Sequence, residues 1–173
     1  MRSTRPLTLL ELILLGSAIA LSACAASGRF VDQIYRRAEV SYRVAPLPAS
    51  WTRTSSKGAD LAFRRAEGGT IAITSLCKGG EDVPLDVLTN HLLFGIEAQN
   101  EHGRTPFTLD GRAALRTRLG GEVDGVSMEL DLVVMKKDGC TYDLQLIASP
   151  QQLPRCQADF DAFVQGFGTL PSK

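Results

Sequence analysis

Two histidines and three strand carboxylates are the residues of this chain that could carry acid–base or metal chemistry. His91 and His102 are the only histidines, and their eleven-residue spacing fits no common zinc pattern. Glu129 and Asp131 share one face of a predicted strand with Asp143 on the next, as a catalytic acid pair could. A solvated strand face explains the same pattern, because three arginines could pair with these acids across the strands: Arg112, Arg116 and Arg118. We therefore predict no metal site, and we interpret His91 as a half-buried surface residue.

Motifs for enzyme chemistry are absent from the sequence. It has no phosphate-binding glycine loop, no Gly-x-Ser-x-Gly elbow and no Cys-x-x-Cys redox pair. We predict that the protein is not an enzyme, has no catalytic residue and uses no cofactor. The enzymatic alternative is a hydrolase that uses Glu129 and Asp131.

Cys24 carries the most specific signal among the four cysteines. It follows Leu21-Ser22-Ala23, which forms a lipobox after two arginines and an apolar run over residues 12–21. This order resembles the signal peptide of bacterial lipoproteins, in which the cysteine is acylated and begins the mature chain. We predict a signal peptide over residues 1–23 and palmitate on Cys24. Because Ala25 follows in place of aspartate, the resemblance implies the periplasmic face of the outer membrane.

Two alternatives compete with a lipoprotein signal. A membrane-spanning helix needs about 20 apolar residues, roughly twice the length of this run, which Glu11 bounds. An ordinary secretory signal cleaved near Ala23 would leave Cys24 as a plain thiol. Several acyl chains on one cysteine would anchor the protein essentially permanently, because each buried methylene contributes about 0.8 kcal/mol.

Composition predicts one domain without a nucleic-acid partner. Removing residues 1–23 from the 173-residue chain leaves 150 residues, a common size for a single domain. The removed segment holds two of 19 basic and one of 19 acidic residues, so 17 and 18 remain. This near-neutral balance argues against nucleic-acid binding and against electrostatic attraction to anionic lipid.

The first half of the mature chain predicts a tether, a strand, a hairpin and a helix. We interpret residues 24–39 as the lipidated cysteine and a tether, with a short helix as the alternative, and residues 40–173 as the domain. Residues 40–44 predict an edge strand that prolines end. Residues 59–77 predict a hairpin that turns at Glu67-Gly68-Gly69. An amphipathic helix is predicted from four residues at helical spacing: Leu85, Leu88, Leu92 and Ile96.

The second half predicts three antiparallel strands and a closing helix. Period-two alternation places the strands near residues 113–119, 126–134 and 140–148, with one buried and one solvated face. Gly120-Gly121 is expected to break the first strand. A helix near residues 156–167 follows from one apolar stripe: Cys156, Phe160, Phe163, Val164 and Phe167.

Three cysteines remain for disulfide chemistry once Cys24 carries lipid. Cys77 and Cys140 lie on inward faces of predicted strands, and Cys156 lies on the final helix. A helix that packs back along the last strand starts about 26 Å from Cys140 at the strand rise, which disfavours a Cys140–Cys156 bond. We predict a Cys77–Cys140 disulfide and a buried thiol at Cys156.

The order of strands, helix, three strands and helix predicts an α+β fold, with a central antiparallel sheet and helices packed on it. Three stretches of the sequence carry a likeness to a known family. They are Tyr42-Arg43-Val44 with Pro46 and Trp51, the hairpin with Thr70-Ile71-Ala72-Ile73, and the closing helix over residues 160–167. Through these stretches the chain, from about residue 40 to 170, is similar to the PsbP/Mog-like family. The resemblance implies the same fold and an accessory or interaction role without catalysis.

Two non-enzymatic functions are consistent with the sequence. The first is a membrane-anchored lipoprotein that serves as an interaction module for an envelope protein complex. The alternative is a periplasmic protein that binds an apolar or lipid ligand between the first helix and the sheet. The alternative is favoured only if the phenylalanines of the last helix line a cavity instead of filling the core.

Overall fold

The structure is a computed structural model that describes residues 28–77 and 82–171. The predicted signal peptide and Cys24 lie outside these residues. The described part contains eleven strands and two helices, in this order: β1 (Arg29–Val31), β2 (Ile34–Arg37), β3 (Val40–Arg43), β4 (Trp51–Thr54), β5 (Leu61–Arg65), β6 (Thr70–Cys77), α1 (Leu85–Leu92), β7 (Glu97–Leu109), β8 (Arg112–Val123), β9 (Val126–Lys137), β10 (Cys140–Ala148), α2 (Leu153–Gln165) and β11 (Gly168–Thr169).

The strands form two antiparallel sheets. The large sheet has the order β4-β5-β6-β10-β9-β8-β7, and the small sheet has the order β1-β2-β3-β11. The predicted α+β class, an antiparallel sheet with helices packed on it, is confirmed. Within the described residues, no helix is long and apolar enough to cross a membrane.

The middle of the large sheet is covered on both faces, so β9 lacks the solvated face that alternation predicted. On one face, α2 and the small sheet bury an aromatic core that includes Tyr42, Phe160 and Phe163. On the opposite face, α1 contacts β8 and β9 over a smaller cluster that includes Leu119, Leu130 and Leu132. Because β9 contributes to both clusters, every residue from Leu130 to Met135 is buried, on both faces of the strand.

Three two-residue Asp-Gly turns join the last four strands of the large sheet. They are Asp110-Gly111, Asp124-Gly125 and Asp138-Gly139, and all six residues have positive φ, from 48° to 75°. Two-residue hairpin loops of this kind match the twist of the flanking strands and fix their register. Gly120 and Gly121 lie inside β8 instead of ending it, and the strand continues to Val123.

Three expectations about strands are wrong. Residues 29–37, assigned to the tether, form β1 and β2, so the folded domain begins before residue 40. The segment predicted as an edge strand is β3, which lies between β2 and β11. The thirteen-residue β7 was not predicted at all, and it forms an edge of the large sheet.

Both helices form where the apolar spacing predicted them, with shifted ends. The first helix ends at Leu92, before the predicted Ile96, and its N-cap residue, Pro84, makes no side-chain capping bond. The second begins at Leu153, which places Pro154 in the first turn, where a missing N–H is tolerated. Its predicted stripe is buried as expected.

A buried polar joint holds the small sheet against the large one. Asp60, which precedes β5, accepts hydrogen bonds from the Arg37 guanidinium at 3.0 Å, from the Tyr35 hydroxyl at 3.3 Å and from the Ser75 hydroxyl. The Tyr35 and Tyr42 rings stack beside it with centroids 5.0 Å apart. Burial raises the pKa of Asp60, while these donors favour its ionised form. These contacts connect the small sheet to the large one.

Candidate functional site

The predicted cysteine chemistry is found in the described residues. Cys77 and Cys140 are joined by a disulfide across the β6–β10 pair, with Cα atoms 4.0 Å apart. Cys156 is a free, buried thiol on α2, as expected. Burial raises the pKa of the Cys156 thiol, which therefore stays protonated in the core. Cys24 lies outside the described residues, so its acylation stays a prediction.

The three strand acids do not lie together. Asp131 is opposite Leu146 in the β9–β10 register, and Asp143 is opposite Val134. Adjacent positions on a strand face opposite sides, so Asp131 points toward α2 while Asp143 points to the α1 side. Asp143 therefore lies apart from Glu129 and Asp131, which share the α2 side of β9. On its own side Asp143 accepts a hydrogen bond from Thr74, and burial raises the pKa of its carboxyl to about 6.

A groove of about 530 Å³ lies on the α2 side of β7 and β8. We call it the arginine groove. Its lining comes from two neighbouring strands: His102, Gly103, Thr105, Phe107, Arg116 and Arg118. The register places Thr105 opposite Arg116 and Gly103 opposite Arg118, so these positions share one face of the sheet.

Asp131 is the buried carboxylate that holds the two arginines of the groove. Its side chain is 1% exposed and receives the Arg116 guanidinium through Nε at 2.8 Å and Nη2 at 2.7 Å. Arg118 Nε donates to the same carboxylate at 3.1 Å, and Gln157 Nε2 on α2 donates at 2.9 Å. The carboxylate is therefore saturated with donors, which is the condition under which a buried charge is tolerated.

The two arginines have different roles in this arrangement. Arg116 also contacts the Asp161 carboxylate, and its guanidinium lies 5.7 Å from the Phe160 ring centroid. Burial acts to lower the pKa of Arg116, but its bonds to both carboxylates raise it above the ordinary value. Arg118 is 50% exposed and, among the described residues, contacts only Asp131, through Nε. The outer edge of the Arg118 guanidinium is thus held in place and open to the groove.

A second polar pair lies at the groove, where His102 contributes to the lining. His102 Nε2 lies 2.9 Å from Glu129 Oε2, although the two residues are on β7 and β9 with β8 between them. Gly120 on β8 makes this contact possible, since an added Cβ there would lie 3.0 Å from Glu129 Oε1 and 3.5 Å from His102 Nε2. His91, by contrast, is an exposed residue of α1 away from this groove.

The groove presents one exposed guanidinium beside an aromatic ring. Its exposed guanidinium can donate two parallel hydrogen bonds to a carboxylate or phosphate, and Phe107 adds apolar surface beside it. Among the described residues, no group of three His, Cys, Asp or Glu side chains could hold a metal ion. The sequence indicated the pairing of Asp131 with Arg116 and Arg118, but it did not indicate the groove, because β7 was not predicted.

The phenylalanines predicted for the last helix fill the core, two of them on α2 and Phe167 just after its end. Phe160, Phe163 and Phe167 are 0%, 1% and 3% exposed. The Phe163 ring packs edge-on against Phe63, and Phe167 packs against Tyr42 and Tyr142. The condition that would favour an apolar-ligand protein is therefore not met by these side chains.

No protein-family model matches the sequence, and no curated protein matches it either. Solved structures do match. The solution structure of cyanobacterial PsbP (CyanoP) from Synechocystis sp. PCC 6803 aligns with a TM-score of 0.59 at 15% identity, over 90% of this chain and 99% of that one. The Ran-binding protein Mog1p of Saccharomyces cerevisiae aligns with a TM-score of 0.54 at 7% identity, over 85% and 97%.

This chain has the PsbP/Mog-like fold. A third structure of similar fold is LpqN, which is involved in cell envelope biogenesis of Mycobacterium tuberculosis. It aligns with a TM-score of 0.53 at 16% identity, over 76% of this chain and 86% of its own. At these identities the likeness is one of fold. The fold predicted from the sequence pattern is confirmed.

Proposed function

We propose that the mature protein is a lipid-anchored lipoprotein of the cell envelope and a non-enzymatic interaction module, with the arginine groove as the surface that receives its protein partner. The observation that carries the proposal is the Arg118 guanidinium, which buried Asp131 holds in a fixed orientation while half of the side chain is exposed. A donor fixed before binding loses little conformational entropy when it meets an acceptor.

The chemistry of the groove supports a partner that presents an acidic side chain beside an apolar one. A carboxylate side chain on the partner would meet the outer edge of Arg118, and an apolar neighbour would lie on Phe107. The groove volume of about 530 Å³ falls within the range of about 300–1,000 Å³ that is typical of small-ligand pockets, enough for a few residues of an extended segment. The fold supports this role, because it also occurs in Ran-binding Mog1p and in LpqN, which is involved in cell envelope biogenesis.

Photo-crosslinking in cells tests the groove. A photoreactive amino acid at Thr105 lies in the groove, and the same residue at Thr108 is exposed on the same strand but on its opposite face. We expect a protein adduct at Thr105 that is absent at Thr108 and that weakens in Arg118→Gln. Arg64→Gln, an exposed arginine on β5, is the matched control. Equal adducts at the two threonines, or none above background, would contradict the proposal.

Metabolic labelling tests the anchor separately. We expect labelled palmitate to enter the wild-type protein and the Cys156→Ala variant, and to be lost in Cys24→Ala. We further propose the periplasmic face of the outer membrane as its location, because Ala25 follows the acylated cysteine. Incorporation in none of the three proteins would overturn the lipoprotein assignment.

A further inference from the structure

The outer face of the small sheet is basic and apolar at once. The inward residues of β1, β2 and β3 include Phe30, Tyr35 and Tyr42, which pack into the core. The alternate residues point away from the molecule, and we call them the basic face: Arg29, Val31, Ile34, Arg36 and Arg43. Val31 is 44% exposed, although it is a large apolar side chain.

Two arginines of the basic face lie directly opposite each other. Arg29 and Arg36 are register partners across the β1–β2 hairpin, and Val31 and Ile34 are the next outward pair. Like charges in this position destabilise a sheet unless another group compensates them. Within the part of the chain that the structure describes, neither arginine makes an ion pair or a side-chain hydrogen bond, whereas Arg37 on the inward side is paired with Asp60.

A shallow depression of about 280 Å³ lies between these side chains. Arg29, Val31, Ile34 and Arg36 line it together with Asp32 of the turn. Its two guanidinium groups match the charge of a phosphate, and its aliphatic side chains match the start of an acyl chain. That combination is characteristic of surfaces that lie at a lipid interface.

The short distance from the predicted lipid anchor at Cys24 also favours a lipid surface next to the basic face. The folded domain is described from Gly28, and the first strand begins at Arg29. Four residue steps separate Cys24 from Gly28, and a fully extended chain of that length reaches about 14 Å. An acyl group on Cys24 would therefore keep β1 close to the headgroup region, whatever path those residues follow.

We propose that the basic face lies on a membrane surface that contains anionic lipid, so that the small sheet faces the bilayer. This inference rests on the proposed lipid anchor. The near-neutral net charge of the chain does not oppose it, because attraction to the headgroups falls off within a Debye length and depends on the charges nearest the surface. The arginine groove, on the face of the large sheet beyond α2, is then left free for a protein partner.

The expected strength follows from the two unpaired arginines. Each arginine near an anionic surface favours the apposed state about fivefold, so replacing both should lower the ratio of apposed to detached domain roughly 30-fold. Because the acyl group stays in place, the variant remains membrane-bound and only its orientation changes.

Fluorescence quenching on vesicles tests the proposal with the full lipidated protein. A thiol-reactive dye is placed at Val31→Cys in the basic face, or at Val126→Cys in the distal β8–β9 hairpin, which is 61% exposed. The native cysteines do not compete, because Cys77 and Cys140 are bonded and Cys156 is buried. On phosphatidylglycerol-containing vesicles we expect the dye at residue 31 to be quenched by nitroxide lipid and shielded from iodide, and the dye at residue 126 to stay open to iodide.

The controls separate orientation from anchoring. Shielding at residue 31 should be lost in Arg29→Gln/Arg36→Gln, in phosphatidylcholine vesicles and at high salt, while the protein still floats with the vesicles. A floating protein in which the two dyes are equally accessible to iodide overturns the inference and leaves the anchor intact. A protein that does not float contradicts the anchor and, with it, the inference.

Discussion

Replacing Asp131 by asparagine keeps the shape of the side chain and removes the one charge that the groove arginines share. Asp131 is 1% exposed and receives three bonds from Arg116 and Arg118. Asparagine would leave Arg118 without a carboxylate and Arg116 with Asp161 alone, and it would turn an NH₂ toward both guanidinium groups. Breaking a buried ion pair from one side costs about 3–5 kcal/mol. That is a large part of the roughly 5–15 kcal/mol by which a domain is stable, and it corresponds to a loss in Tm on the order of 10 °C.

Urea denaturation measures this loss through the only tryptophan, Trp51, which is 6% exposed and donates its indole N–H to Asp159 at 2.8 Å. The matched control is Asp161→Asn, which removes a 38% exposed carboxylate from the same Arg116 guanidinium. A partner this exposed contributes less than about 1 kcal/mol. The reasoning is refuted if Asp131→Asn lowers the free energy of unfolding by no more than Asp161→Asn at the same denaturant slope.

Three further predictions concern other parts of the domain. The Cys77–Cys140 disulfide closes a loop of 63 residues, so Cys77→Ala/Cys140→Ala should lose about 4 kcal/mol of stability in urea titrations, and a reductant should lower the wild-type midpoint but not that of the variant. Burial raises the pKa of Asp143 from 3.8 to about 6, so the stability that its protonated form contributes is fully present below pH 3.8 and is lost as the pH rises through about 6. The free energy of unfolding of Asp143→Asn should therefore exceed that of the wild type by about 2–3 kcal/mol at about pH 8 and match it at about pH 3. A difference that does not change with pH would contradict the assignment. Gly69 and Gly58 both have positive φ, 98° and 84°, but an added Cβ at Gly69 would lie 2.7 Å from the buried Cys156 sulfur, whereas Gly58 has open space around it. Gly69→Ala should therefore lose about 1–3 kcal/mol more stability than Gly58→Ala in thermal melts. Equal losses of stability would exclude the steric effect.

The sequence predicted the elements whose side chains alternate between core and solvent or recur at helical spacing. β10 is an example, because Cys140, Tyr142, Leu144 and Leu146 all point into the aromatic core. That alternation, together with the hairpin that ends at Cys77, was sufficient to select the correct cysteine pair. The apolar stripe of α2 predicted that helix equally well, because a helix that buries one face needs apolar residues at helical spacing.

The remaining elements were missed for physical reasons. β7 is an edge strand exposed over nearly its whole length, so it carries no alternation, and it contains Pro106. β1 and β2 have three and four residues and are joined through Asp32 and Gln33, which adopt positive φ without the glycine that usually signals such a turn. Asp131 was expected in solvent because a sequence does not show that both faces of a strand are covered. The groove depends on β7 and on this burial, so it could not be predicted.

The Asp-Gly turns determine the order in which the large sheet can assemble. From β7 to β10, each strand is joined to the next by a two-residue turn. These strands can therefore pair through contacts that are close in sequence, and such contacts form fast. The β5–β6 hairpin can join them only through β10, where Cys77 meets Cys140 across 63 residues of chain. We expect closure of this long loop to be the slowest step in forming the sheet, so the two thiols should come together last. Oxidation of the two thiols would then covalently link a sheet that is already complete, and formation of the disulfide would report that folding has finished.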